Sequence, residues 1–360
     1  MPKWIIRTTS FVALLIGSFV LWVYSSTYQP QQIEPATFAC SDEAKPLDAQ
    51  KNLKVLSYNI QFLAGKGYVF YYDLPNNAGP HKRPTTQSIH STLSGIVEII
   101  KEQDPDVLLI QEFHDNAKAT DYEDQLVKLQ AALGVQKFPC TAEAFYWKAD
   151  FVPHPDIMGS VGMKLGTLSR YEISGATRHQ LALIPDDPIS QQFNLKRAIL
   201  ETKLMTTTRP VSVMNTHLDA FAQGSDTMRE QVDYISALLA KLEQTNTAWI
   251  LGGDFNLLVP GEYKNLPADQ QYLYNPTSEL GKIWGRFQSV PGAKDVSSHD
   301  KQKWFTHYPN DPGINGPDRT IDYLFLSDHW DIIEKQVIQG HTEKLSDHLP
   351  VQATVRLRKE

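Results

Sequence analysis

Eight short runs rich in Val, Ile and Leu punctuate this chain. They span residues 53–59 (LKVLSYN), 106–112 (DVLLIQE), 160–169, 197–204, 211–217 (VSVMNTH), 248–256 (AWILGGDFN), 320–327 (TIDYLFLS) and 349–357 (LPVQATVRL). Runs of that length and composition read as buried β-strands. Amphipathic stretches lie between some of them. Residues 85–103 put Ile89, Leu93, Ile96, Val97 and Ile100 on one helical face, and residues 228–244 do the same with Val232, Ile235, Leu238, Leu239 and Leu242. Asp104-Pro105-Asp106 ends the first helix and turns into the next strand. No internal repeat or low-complexity block interrupts the region from residue 51 onward.

Six apolar runs carry a polar residue at an end: Asn59, Glu112, His217, Asp254 with Asn256, Asp322, and Asp347 with His348. A carboxylate at the end of a buried strand costs several kcal/mol, roughly, unless it is neutralised. One such residue is an ordinary turn cap. Six imply that the tips converge, because the ends of neighbouring strands lie side by side.

The residue types then define a chemistry. Asn59, Glu112, Asp254, Asn256 and Asp347 are oxygen donors, which suit Mg²⁺, Mn²⁺ or Ca²⁺ rather than softer metals. Alternation puts Asp254 and Asn256 on the same side of their strand end. His217 and His348 supply proton transfer or charge at a phosphate, and Asp322 is positioned to fix the tautomer of His348. A hard cation, a polarised water, two imidazoles and several amides describe phosphoester hydrolysis.

Seven segments occur in order: SYNIQ (57–61), LLIQE (108–112), LSRYEI (168–173), NTHLD (215–219), GGDFN (252–256), IDYLFLS (321–327) and SDHLPV (346–351). Together they resemble the endonuclease/exonuclease/phosphatase superfamily of divalent-metal phosphohydrolases, over about residues 53–355. The resemblance implies an α+β fold, a four-layer α/β/β/α sandwich of two packed, mostly antiparallel sheets. It implies Mg²⁺ as cofactor, with Mn²⁺ or Ca²⁺ as alternatives. It makes Glu112 the principal metal ligand with Asn59 beside it, and Asp347 a ligand or a support for His348. Asp254 orients or deprotonates the attacking water, Asn256 holds the phosphate and His217 contacts it. His348, supported by Asp322, binds phosphate or acts as general acid. Asn215, Arg170 and Arg197 are candidate substrate contacts, although solvated charge at a strand edge explains the two arginines equally well. His307 has no role from its spacing.

The N-terminus stands apart. Lys3 and Arg7 precede an uncharged run from Thr8 to Tyr24, 17 residues, with Trp4, Trp22 and Tyr24 near its ends. That is the short end of what spans a hydrocarbon core of about 30 Å, and the aromatic flanks suit an interface. Residues 1–28 therefore read as a membrane anchor, or as a cleaved signal segment, with the rest of the chain outside the cytoplasm. Residues 29–50, rich in Gln, Pro, Ser and Ala, read as a linker, and residues 51–360 as the catalytic domain. Cys40 and Cys140 fit either one disulfide or two free thiols. Residues 63–85, with an aromatic burst, and 259–319 read as long loops. The first of these either wedges into a lipid interface or covers the core.

Net charge is −7, the wrong sign for a long basic face that grips nucleic acid. The favoured reading is a membrane-tethered phosphodiesterase or phosphatase, taken as a monomer, that acts on a phospholipid or sphingolipid head group or another small phosphoester. The alternatives are an exported nuclease acting on DNA or RNA, and a non-catalytic binding module.

Overall fold

The computed structural model describes residues 3–220 and 222–359. The described strands are, in chain order, β1 (Ile33–Pro35), β2 (Thr37–Cys40), β3 (Asn52–Asn59), β4 (Val107–His114), β5 (Cys140–Val152), β6 (Gly159–Ser169), β7 (Ile173–Gln180), β8 (Ala198–Leu204), β9 (Val211–His217), β10 (Ala248–Asp254), β11 (Gln288–Val290), β12 (Asp322–Leu326), β13 (Trp330–Val337) and β14 (Val351–Leu357). They build two seven-stranded sheets, ordered β13-β14-β3-β4-β6-β5-β2 and β1-β7-β8-β9-β10-β12-β11. The pairs β3–β4 and β9–β10 are parallel, and the other named pairs are antiparallel.

Alternation along the central strands sorts side chains into layers. Val55, Leu109, Leu165, Leu200, Val213, Ile250 and Leu324 fill the space between the sheets. Leu56, Tyr58, Leu108 and Ile110 face the other way. They meet Ile89, Ile96 and Ile100 of α2 (Thr86–Gln103) and Leu126 and Leu129 of α3 (Gln125–Leu133). On the far side, Trp249, Leu251 and Phe325 receive Val232, Ile235 and Leu239 of α5 (Thr227–Gln244), an element that follows the one-turn α4 (Ser190–Phe193). The result is the α/β/β/α sandwich. The start of α2 is set by Thr85, whose hydroxyl accepts from Ser88 N at 3.2 Å, and its end by Asp104 in the left-handed region.

Residues 29–50 are not a free linker. Within them β1 pairs with β7, Ile33 opposite His179, and β2 pairs with β5, Thr37 opposite Glu143. Leu47 is buried. Strands of three and four residues are too short to show periodicity in sequence, yet they cover the exposed edges of both sheets. Cys40 and Cys140, directly opposite in that register, form a disulfide. The segment 63–85 keeps no long regular element and folds back on the domain, with Phe70 buried 5.0 Å from the Phe62 ring. Residues 259–319 include β11 and short helical turns.

Helix α1 (Lys3–Ser26) contains one apolar stretch, Arg7–Ser26, long enough to be a membrane anchor or a signal sequence. It is almost wholly exposed except at its foot, where Val23 is buried and Tyr28 N donates to Lys148 O at 3.0 Å.

Candidate active site

Strand direction explains why the polar tips meet. The parallel pair β3–β4 delivers Asn59 and Glu112 to one end of its sheet, and β9–β10 delivers His217 opposite Asp254 to the same end of the other. Asp322 opens the antiparallel β12 and pairs with Asp254. Asp347 and His348 precede β14, which runs antiparallel to β3. Asp322 and His348 therefore stand at strand beginnings, not endings, and arrive at the same place because their strands run in the opposite direction.

The sequence supplies local devices for this convergence. Gly253 lies at φ +152, where an added Cβ would sit 2.0 Å from Thr216 O; only glycine lets β10 approach β9 this closely one residue before Asp254. Glu112 sits at φ 64 in a β-bulge between Ile110 and Phe113, and the bulge turns its carboxylate toward the other tips. Asn256 (φ 49) and the run Gln61, Phe62, Leu63 (φ 47, 40 and 63) are also left-handed. Non-glycine residues in that region concentrate where a site holds them.

Asp254 is the centre of the cluster. Its Oδ2 accepts from Asn59 Nδ2 at 3.0 Å and faces His217 Nε2 at 3.3 Å and His348 Nε2 at 3.5 Å. Its Oδ1 accepts from Asn256 N at 2.9 Å. Asn59 Nδ2 also donates to Glu112 Oε1 at 2.9 Å, and Asn59 Oδ1 accepts from Gln61 N at 3.0 Å. Asn59, expected as a metal ligand, has its nitrogen on the two carboxylates and its oxygen on the Gln61 amide. His348 Nδ1 lies 2.9 Å from Asp322 Oδ2. Asp347 accepts from Asn310 Nδ2 at 3.3 Å. Asn256 Nδ2 donates to Leu218 O at 3.1 Å at the cleft wall.

Burial and mutual repulsion set the charges. Burial, with Asp347 nearby, pushes Glu112 up to about 7. Burial pushes Asp254 up to about 6 and raises Asp322 and Asp347. Burial alone would lower His348, but Asp322 and Asp254 outweigh it and hold the imidazolium well above its ordinary range. His217 moves the other way and stays neutral, through burial and the charge of Arg197.

The donor set fits a divalent cation. Ligand atoms of Glu112, His217 and Asp254 lie within 4.8 Å of one another, and so do those of Asp254, Asp322 and His348. Carboxylates buried this close favour taking up protons, as their raised pKa values say, and a hard cation can take the protons' place. The cluster lies at the base of a cleft of about 1110 Å³.

A family model described as the Endonuclease/Exonuclease/phosphatase family matches residues 56–348. The chain belongs to the endonuclease/exonuclease/phosphatase family. Members of that family are metal-dependent hydrolases of phosphoester bonds, and this chain is an enzyme of that class. Among solved structures, the endonuclease/exonuclease/phosphatase from Beutenbergia cavernae DSM 12333 aligns with TM-score 0.56 and 20% identity, covering 86% of this chain and 72% of its own. The human Nocturnin catalytic domain with bound sulfate aligns at 0.51 and 18%, covering 90% and 98%. Truncated TDP2 from Caenorhabditis elegans aligns at 0.51 and 15%, covering 85% and 97%. These likenesses show the shared fold. No curated protein matches significantly in sequence.

Two expected substrate contacts lie elsewhere. Arg170 follows Ser169, which pairs with Val107 at the start of β4; Glu112 is five residues further along, about 17 Å away. Arg170 is paired with Asp104 and, at 3.3 Å, with Asp106. Asn215 is fully buried between the sheets. It donates to Ile110 O and Gly166 O, both at 2.9 Å, and accepts from Gln111 Nε2 at 2.6 Å, so it ties the sheets together. Arg197 does line the cleft, with Nε 3.2 Å from Asp219 Oδ1.

Sequence reasoning missed several neighbours. The His307 ring lies 4.6 Å from that of His348, and its donor atoms group with Asp347 and His348; nothing local marks it. Tyr146 OH is 3.2 Å from His217 Nδ1. Its strand, β5, alternates buried and partly buried residues from Cys140 to Trp147, a legible signal. Asp73, pushed up to about 7 by burial and by Asp347, accepts from Asn310 Nδ2 at 3.0 Å. The aromatic segment thus lines the cleft with Phe70, Tyr71 and Tyr72.

Proposed function

We propose that this protein is a membrane-tethered, Mg²⁺-dependent phosphoester hydrolase whose catalytic domain faces away from the cytoplasm and acts on phospholipid or sphingolipid head groups. The observation that carries the reading is the Asp254 carboxylate, ringed by Asn59, His217 and His348 beside the Glu112 carboxylate. Glu112 and Asp254 would hold the cation, with Asp347 at its margin. When bound, the cation offsets phosphate charge and lowers the pKa of water.

The chain's own groups do the remainder. Asp254, ionised at neutral pH yet more basic than an ordinary aspartate, takes the proton of the attacking water. Protonated His348, oriented through Nδ1 by Asp322, donates from Nε2 to the phosphate or leaving oxygen as the P–O bond breaks. With Tyr146 donating to Nδ1, His217 keeps its proton on Nε2 and steadies Asp254. Asn256, at the cleft wall, orients the phosphate.

The tether reading is supported by α1 and its flanking charges, and export by the Cys40–Cys140 disulfide. If α1 is cleaved, the same domain is secreted. An exported nuclease is the competing reading. Against it, three of the cations lining the cleft are matched by acids, Lys82 with Asp156 at 2.8 Å, Arg319 with Asp318 at 2.7 Å and Arg197 with Asp219 at 3.2 Å, and Lys118 Nζ is engaged by the Met158 carbonyl at 2.7 Å.

A panel of plasmid DNA, RNA, sphingomyelin, phosphatidylcholine and bis-p-nitrophenyl phosphate, with Mg²⁺ and with EDTA, tests the reading. The expected result is EDTA-sensitive lipid hydrolysis that Glu112→Ala and His348→Ala abolish. Activity untouched by both substitutions removes the mechanism, and DNA cleavage without lipid hydrolysis installs the nuclease.

A further inference from the structure

The cleft is far larger than a phosphate requires, and its two ends differ in character. One end is the acid and imidazole cluster. At the other, Trp147, Val152, Ile157, Val161 and Phe193 form one apolar cluster, with Met158 beside them and a polar rim of Lys118, which donates to the Met158 carbonyl, and the Lys82–Asp156 pair. Strand register gives the direction between them. On β6, Met163 lies opposite His114, two residues past Glu112. Val161 is two residues further out on the same face. Val152 of β5 pairs further out still, with Gly159. From Met163 to Gly159 the strand advances about 13 Å. The apolar arm therefore leads from the cluster outward along the β5–β6 ribbon.

That ribbon also holds the foot of α1. Thr27 bridges to Ala149, and Tyr28 N donates to Lys148 O. The Trp22 ring packs 6.4 Å from both Phe151 and Phe193. Phe193 belongs to both features. It lines the cleft and packs against Trp22 in the last turns of the apolar helix, and its carbonyl accepts from Trp147 Nε1 at 2.7 Å. On the rim, Met158 is 51% exposed, an unbranched side chain suited to a variable apolar partner.

We propose that this arm is a hydrocarbon subsite: it takes the chain of a phosphoester lipid from the bilayer leaflet that α1 enters, with the phosphate at Asp254 and His348. The inference rests on the reading of the cluster as a phosphoester hydrolase and of α1 as a tether. A free head group leaves the arm empty, whereas a lipid fills both ends of the cleft at once. Each methylene withdrawn from water is worth about fourfold in binding, so even a partly buried chain yields a large preference.

The test compares ethyl and octyl p-nitrophenyl phosphate, with Mg²⁺, using the full chain reconstituted in vesicles. The ratio of kcat/KM, octyl over ethyl, is expected to be at least about tenfold. It should collapse toward unity in Ile157→Glu and in Met158→Glu; the second lies on an exposed rim and keeps the test sound if the first misfolds. Partition of the octyl ester into vesicles affects all proteins alike, so a ratio unchanged by both substitutions overturns the subsite. A ratio near unity in the unaltered protein overturns it too, while ethyl ester hydrolysis leaves the hydrolase reading standing. If neither ester is cleaved, the phosphodiesterase reading of the cluster fails, and binding decides the arm separately. Octyl phosphate, but not ethyl phosphate, should then change tryptophan fluorescence in the unaltered protein, and the absence of such a change, or an equal change in Met158→Glu, rejects it.

Discussion

His348 Nδ1 lies 2.9 Å from Asp322 Oδ2 while its Nε2 faces Asp254 Oδ2 at 3.5 Å. One imidazole is thus held between two buried carboxylates, and their charge keeps it protonated well above its ordinary range despite burial. Removing the Asp322 charge lets the His348 proton leave at lower pH. Asp322→Asn should therefore move the alkaline limb of the kcat–pH profile toward acid and lower kcat by roughly 10²–10⁴. A profile unshifted in Asp322→Asn would mean that His348 does not donate the proton.

The carboxylates predict a pH-linked stability. Burial lifts Glu112 from the ordinary 4.5 to about 7, and Asp254 from 3.8 to about 6. The folded state holds these protons more tightly than the unfolded chain, so the metal-free protein is more stable at the acid end. It loses that stability as pH rises from about 4 through 7. A divalent cation competes with the same protons. In EDTA, Tm should fall between pH 5 and pH 8. Added Mg²⁺ should restore it at pH 8 and do little at pH 5. Glu112→Gln should flatten both responses, and thermal denaturation at the two pH values measures them.

Legibility in the sequence followed burial pattern and run length. The central strands β3, β4, β9, β10 and β12 are buried on both faces and read as continuous apolar runs, so the polar tips Glu112, Asp254 and Asp322 stood out against them. The edges β1 and β2 are short and exposed, and only pairing partners a hundred residues or more away make them strands. Arg170 and Asn215 show the complementary failure. Both occur in motif-like segments, but position in a motif does not say which end of a strand, or which face, a side chain occupies. Arg170 lies at the wrong end and Asn215 on the inward face. His307 is the reverse case, brought to His348 by a bridge between loops.

Because Arg170 is a half-buried partner of Asp104 and Asp106 remote from the cluster, Arg170→Ala should leave kcat/KM unchanged and cost about 1 kcal/mol. A steady-state assay beside urea denaturation checks this. A tenfold drop in kcat/KM with stability intact would return Arg170 to the site.

Gly253 predicts a severe local requirement. A Cβ there would sit 2.0 Å from Thr216 O, a backbone atom of the neighbouring strand that no side-chain rotation can move. Gly253→Ala must push β10 from β9 immediately before Asp254, so it should disturb the His217–Asp254 pairing as well as stability. The expected cost exceeds roughly 1–3 kcal/mol, with Mg²⁺-dependent stabilisation lost in whatever fraction folds. A denaturation curve matching the unaltered protein would contradict this close approach.

The Cys40–Cys140 bond closes a loop with a sequence separation of 100 and fastens β2 to β5. Since β2 adds only four exposed residues to the edge of its sheet, its short ladder to β5 is the main other contact that holds it there. A loop of that length constrains the unfolded chain by about 4–5 kcal/mol in the entropic account. The double substitution Cys40→Ser, Cys140→Ser should therefore lower unfolding free energy by roughly 2–5 kcal/mol. The acid cluster is carried by strands away from this edge, so residual activity at low temperature should keep its Mg²⁺ dependence. Dithiothreitol should reproduce the loss of stability in the unaltered protein and have no effect on the double variant. Equal melting temperatures with and without reductant would show that the bond contributes nothing.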